Sequence, residues 1–140
     1  MTLHAQPQSG EARILVVDDN ALMRRSLREL LEGNAGWKVY DEASNGHEAV
    51  AKFDEDLFDV IVLDFQMPGM DGLEAPRQIT RRHPRARILM VTLHYSPQLA
   101  KEARNAGIKG MCPKADSKCL IVGVATVLAN KFFFSNQAAG

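Results

Sequence analysis

The sequence predicts an α/β domain: a parallel sheet with helices on both faces. Three observations carry this. Apolar runs rich in branched side chains recur at Ile14-Leu15-Val16-Val17, Val60-Ile61-Val62-Leu63 and Ile88-Leu89-Met90-Val91. Runs that short, without polar alternation, suit strands buried on both faces. Segments with helical spacing and recognisable caps separate them, which is the pattern of repeated βα units.

Taken in order, residues 1–12 (MTLHAQPQSGEA) lack periodicity and are expected to form a flexible leader. The first strand begins at Arg13. Asn20 can cap a helix whose stripe is Leu22, Leu27, Leu30 and Leu31, closed by Gly33. Residues 37–40 are a weaker strand candidate. Asn45 or Gly46 starts a second helix carrying Ala49, Val50 and Phe53. After the Val60 run, Gly72 opens a third helix, with Leu73 and Ile79, that stops before Pro84. Ser96-Pro97 pairs a cap with a first-turn proline and starts a fourth helix, which ends at Gly107. Residues 109–112 are the last, weaker strand candidate, and residues 117–129 form a fifth helix with Leu120, Val124, Val127 and Leu128 inward.

Composition removes other classes. The 140 residues fit one domain and are 46% hydrophobic and 24% charged. No apolar run is long enough to span a bilayer, and the first ten residues lack a secretory pattern, so a cytoplasmic location is expected. Lys plus Arg equals Asp plus Glu at 17 each, which does not suggest a strongly basic nucleic-acid binder. Cys112 and Cys119 match no zinc spacing and no disulfide framework.

In such folds ligands sit beyond the carboxyl ends of the strands. The first strand runs into Asp18-Asp19, the third into Asp64 and the fourth into Thr92, while Lys114 follows the fifth. A single Asp there is most often a helix cap, and a lone Thr or Lys says little. Five such residues at one sheet edge say more. Gathered carboxylates repel and call for a cation, and oxygen-only ligands favour Mg²⁺. A metal, a carboxylate nucleophile, a Lys and a Thr together make a phosphoryl-transfer site.

The strings ILVVDD, VIVLDFQMPGMDG and ILMVTLH, followed by Lys114, resemble the receiver domains of two-component response regulators. Ser96 to Ser117 and the aromatic segment after the fifth helix are most similar to the NarL/FixJ-type subfamily. The resemblance implies a flavodoxin-like doubly wound (βα)5 fold, with a five-stranded parallel sheet in the order 2-1-3-4-5. It implies a receiver over residues 13–131 and a tail, or the start of a linker, over 132–140.

Position by position, it makes Asp64 the aspartate that accepts phosphate from a sensor histidine kinase or histidine phosphotransfer protein. Asp19, Asp64 and the backbone carbonyl of Gln66 match the ligands of Mg²⁺ (or Mn²⁺), and Asp18 the acid that holds the metal through water. Thr92 matches the switch hydroxyl and Lys114 the phosphoryl-pairing lysine. The implied product is a signalling switch, not a turnover enzyme, acting through the face of the fourth helix, fifth strand and fifth helix. Homodimerisation through that face or through the aromatic segment is the corresponding expectation. No membrane contact is expected, and none with nucleic acid unless a helix-turn-helix domain adjoins this chain.

Some positions depart from the family pattern. Met111 stands where a Tyr or Phe switch residue is usual, Pro113 precedes Lys114 and Ala115 follows it, and Leu93 follows Thr92 and is expected to narrow access. Two rival readings share the fold: a phosphorylation-independent interaction module, suggested by Met111, and a Mg²⁺-dependent phosphatase, disfavoured because Gln66 replaces its second acid. Arg77, Arg81, Arg82, Arg85 and Arg87, with His83, read as a solvated helix end, since no aromatic residue is interleaved. Arg24 or Arg25 is a candidate kinase contact, and the two cysteines read as packing residues.

Overall fold

A computed structural model of the chain describes residues 10–67 and 69–134. Most of the expected leader, Pro68 of the expected turn and residues 135–140 of the expected tail lie outside the described residues. The elements alternate as expected: β1 (Ala12–Val17), α1 (Ala21–Glu32), β2 (Trp37–Ala43), α2 (Gly46–Glu55), β3 (Val60–Asp64), α3 (Glu74–Arg82), β4 (Ile88–Thr92), α4 (Pro97–Asn105), β5 (Gly110–Pro113) and α5 (Ser117–Leu128), with a short β6 (Phe133–Phe134). The sheet is parallel, in the order β2-β1-β3-β4-β5-β6. The core is therefore the expected five-stranded 2-1-3-4-5 sheet, to which the structure adds a sixth strand. The order reverses between β1 and β3, and a crevice opens there at the strands' carboxyl ends.

Strand alternation divides the core into two layers. Leu15, Val17, Ile61, Leu63, Ile88, Met90 and Met111 face α2, α3 and α4. Ile14, Val16, Val60, Val62, Leu89, Val91 and Cys112 face α1 and α5. Every residue of β3 and β4 is buried, which explains their unbroken apolar runs. Each fully buried Leu, Ile or Val contributes about 1.5–3 kcal/mol.

Helix starts follow the caps. The side-chain oxygens of Asn20, Asn45 and Ser96 accept from the backbone N–H groups of Met23, Glu48 and Leu99. Two expectations are corrected. Leu22 is 70% exposed, and Met23 packs with Leu27, Leu30 and Leu31 instead. Leu22 lies five residues before Leu27, about 140° round the helix. The third helix begins at Glu74, not Gly72, because Asp71 organises its start: its carboxylate accepts from Leu73 N–H (2.7 Å) and its carbonyl from Glu74 N–H (2.9 Å).

α4 ends in a Schellman-type turn, with Ile108 N–H donating to the Ala103 carbonyl (3.0 Å) and Gly107 at φ +95°. A Cβ on Gly107 would stand 2.7 Å from Thr80 Cβ and closer still to the rest of that side chain. Gly107→Ala combines this clash with an unfavourable backbone region and is expected to destabilise the fold by about 2 kcal/mol. Urea denaturation checks this; an unchanged midpoint would contradict it.

β6 rests on two close approaches. Phe133 N–H donates to the Lys109 carbonyl (2.9 Å), and Gly110 and Met111 pair with Phe133 and Phe134. A Cβ on Gly110 would lie 2.7 Å from the Phe133 carbonyl oxygen, and one on Gly123 would lie 3.1 Å from the Phe133 ring. Phe133 packs on the α1/α5 layer and Phe134 on the opposite layer. The aromatic segment thus finishes both halves of the core, and only Phe132 is exposed.

Candidate functional site

Register delivers the polar residues to one place. Val17 pairs with Leu63 and Asp64 with Val91, so Asp18 and Asp64 stand side by side where β1 and β3 end. Thr92 closes β4 opposite Pro113, and Lys114 follows, its N–H donating to the Thr92 carbonyl (2.7 Å). Asp18, Thr92 and Asp64 are buried, at 0%, 0% and 1% exposure, although nearly all other fully buried side chains are apolar. Asp19 is exposed. One carboxylate oxygen from each of Asp18, Asp19 and Asp64 lies within 4.8 Å of the others.

Lys114 reaches into this cluster, its Nζ 3.0 Å from Asp64 Oδ2 and 3.1 Å from Asp18 Oδ2. The Asp64 contact is a hydrogen bond; at Asp18 Oδ2 the approach is electrostatic only, and that buried oxygen has no hydrogen bond. The other oxygens are held by backbone: Asn20 N–H donates to Asp18 Oδ1 (2.9 Å) and Gln66 N–H to Asp64 Oδ1 (3.2 Å). Burial lifts the Asp64 carboxyl above its ordinary pKa, and the Asp18 charge adds to the rise against the pull of Lys114 and Gln66 N–H. Burial would lower the Lys114 ammonium, but Asp64 and Asp18 more than offset it and hold it above its ordinary value. A buried carboxylate oxygen without a donor, among three converging acids and one cation, is a donor set that a hard divalent ion completes.

Residues 14–124 match the response regulator receiver domain family. The chain belongs to that family. It is 34% identical over 127 residues to the response regulator UvrY of Escherichia coli strain K12, a match covering 90% of this chain and 58% of UvrY. It is 37% identical over 102 residues to the chemotaxis protein CheY of Thermotoga maritima, covering 73% of this chain and 84% of CheY. Among solved structures, a LuxR-family two-component response regulator from Aurantimonas sp. SI85-9A1 superposes with a TM-score of 0.88 at 35% identity, covering 92% of this chain and 93% of that one. These likenesses support the NarL/FixJ-type subfamily.

Within this receiver domain, Asp18, Asp19, Asp64, Thr92 and Lys114 come together as expected. Gln66 adds a link that its sequence position does not reveal: its side-chain Oε1 accepts from Leu93 N–H (3.3 Å), tying the loop after β3 to the loop after β4. Thr92 Oγ1 accepts from His94 N–H (3.1 Å). Leu93 is 63% exposed, so its bulk stands largely in solvent and does not crowd the acids. Met111 is fully buried in the α2/α3/α4 layer, beside Met90 and Phe134 in register. Cys112 is buried, and burial pushes its thiol above the ordinary value, in keeping with a packing role.

Arg24 serves the site from behind. It donates to the Asp18 carbonyl (2.7 Å) and to Glu42 (2.9 Å), while Arg28 also holds Glu42; Arg25 is exposed. Burial opposes ionisation of Glu42, but Arg28 and Arg24 outweigh it and lower its carboxyl pKa. A depressed folded-state pKa gives stability that is complete above the ordinary glutamate pKa and lost as pH falls through the folded value. Glu42→Gln is therefore expected to cost roughly 1 kcal/mol at neutral pH, with the gap closing well below about pH 4. Thermal melts across pH check this; a gap that persists in acid would show that charge is not its cause.

Proposed function

We propose that this receiver domain is a phosphorylation switch in which Asp64 accepts a phosphoryl group. The observation that carries the reading is the convergence of three acids, a lysine and a buried threonine hydroxyl at the switch point of the sheet. Asp64 attacks the phosphorus of a phosphohistidine on a sensor kinase or phosphotransfer protein; the phosphorus–nitrogen bond breaks, and the imidazole leaves with a proton. The product is an acyl phosphate. Lys114 already lies beside the attacking carboxylate and pairs with a phosphoryl oxygen, and Thr92 offers a hydroxyl to another.

The donor set fits Mg²⁺, with Mn²⁺ as a substitute: Asp19, Asp64 and the Gln66 carbonyl as ligands and Asp18 as the acid that holds it through water. When bound, the ion screens the incoming phosphoryl charge from the carboxylates. Phosphorylation shifts the face of α4, β5 and α5, by drawing Thr92 inward, between two states. That face is the proposed output and dimer surface. Incubation with acetyl phosphate and Mg²⁺ should add one phosphoryl mass; an unchanged mass would refute the switch.

Met111 favours a second reading, a module that signals without phosphate, because a flexible thioether replaces a rigid ring at the coupling position. Beryllofluoride with Mg²⁺ separates the two. Broad amide shifts in α4 and β5 belong to the switch, and shifts confined to the acidic pocket belong to the module.

A further inference from the structure

At the opposite, amino-terminal ends of β4 and β5 a groove of about 530 Å³ opens. Three separate connections build it. Arg85 and Arg87 come from the segment between α3 and β4, Lys109 from the segment between α4 and β5, and Asn130, Lys131 and Phe132 from the turn after α5. No Asp or Glu lines it. The acids of the chain run from Glu11 to Asp116, so all of them are among the described residues, and the ion pairs found there engage none of these four cations. A chain of zero formal charge thus gathers four uncompensated positive charges in one concavity.

A cation near the end of α5 complements the helix dipole, which accounts for Lys131. It does not account for Arg85, Arg87 and Lys109, which arrive from other connections. Arg87 is held in place: its Nε donates to Asn130 Oδ1 (3.0 Å) and its Nη1 to the Asp59 carbonyl (3.3 Å). A guanidinium has five donors, so three face no protein acceptor. Asn130 itself sits at φ +63°, a left-handed conformation that turns the chain toward Phe132. Phe132 is 59% exposed, with the Arg104 guanidinium 4.7 Å and the Lys109 ammonium 5.8 Å from its ring centre. The basic stretch around residues 81–87 has no aromatic neighbour in sequence; the fold supplies one from 45 residues beyond Arg87 (132 − 87 = 45).

We propose that this groove binds a nucleoside polyphosphate, its phosphates held by Arg85, Arg87, Lys109 and Lys131 and its base stacked on Phe132. Guanidinium and ammonium groups suit phosphate oxygens. The volume lies within the range of small-molecule sites. A single exposed ring provides a platform for one base; a strand would need successive platforms. The site lies at the far end of the sheet from the acidic pocket, and the inference is independent of Asp64 chemistry.

Calorimetric titration of the intact chain with ATP, in chelator so that no metal bridges nucleotide and carboxylates, tests this. Binding near ~0.1–1 mM is expected. Lys109→Gln with Lys131→Gln should weaken it about tenfold, since two charge-assisted contacts are lost. These two lysines make no hydrogen bond or ion pair among the described residues, so the variant should melt as the wild type does. Phe132→Ala should bring ATP down to the affinity of inorganic tripolyphosphate, which binds the wild type more weakly. Equal binding of ATP and tripolyphosphate, insensitive to Phe132→Ala, would overturn the nucleotide assignment. So would tighter binding of a single-stranded oligonucleotide than of ATP, or no heat at millimolar ATP.

Discussion

Asp64→Asn is expected to abolish phosphorylation by acetyl phosphate and, in chelator, to raise the melting temperature. The first effect is chemical, since an amide nitrogen and carbonyl cannot form the acyl phosphate. The second is electrostatic. Asp64 is 1% exposed and shares its pocket with Asp18 and Asp19, while one cation, Lys114, serves the cluster. Burial is the larger part of the strain on its charge and Asp18 the smaller. Asparagine keeps the shape and removes both. The gain should be about 1 kcal/mol or more, near 3 °C for a chain of this size. Mg²⁺ should reverse the ranking, because it stabilises the wild type by mass action and binds the variant less well. A melting point that falls in chelator would contradict the charge argument, and phosphorylation that survives would move the acceptor elsewhere.

Lys114→Ala should have the opposite sign and a larger size. Its ammonium lies about 3 Å from two buried carboxylates, 3.0 Å from one and 3.1 Å from the other. Taking away the cationic partner leaves both acids buried and uncompensated, which costs about 3 kcal/mol. Two further measurements separate this from lost packing. Combining Lys114→Ala with Asp64→Asn should recover a good part of the loss, as coupled sites do in a double-mutant cycle. Saturating Mg²⁺ should recover part of it too. If losses add simply and metal changes nothing, the lysine stem rather than its charge supports the fold.

How much was readable before the fold was known follows from the range of each signal. The three apolar runs are local, and each became a strand with its polar residue at the carboxyl end. Asp18, Asp19, Asp64, Thr92 and Lys114 converge because parallel strands share an end, so placing the strands places the site. Readings that depended on side-chain direction fared less well. Leu22 and Met23 are adjacent apolar residues, and only the angle around α1 decides which is buried. The start of α3 was set by Asp71, one residue before the glycine that signals it. Contacts between distant loops carried no local mark: Gln66 to Leu93, Arg87 to Asn130, and the pairing of Gly110 with Phe133. A strand of two phenylalanines is too short for any periodicity, and it exists because two glycines elsewhere leave it room.

That short strand has a bearing on how the molecule avoids unwanted company. Without it, the outer rim of β5 would offer bare amides and carbonyls to any extended polypeptide, an invitation to zipper into larger aggregates. Phe133 and Phe134 blunt this rim from within the same chain. A visitor seeking the rim must first displace two rings that each finish a layer of the interior, so admission carries a toll in exposed aromatic surface.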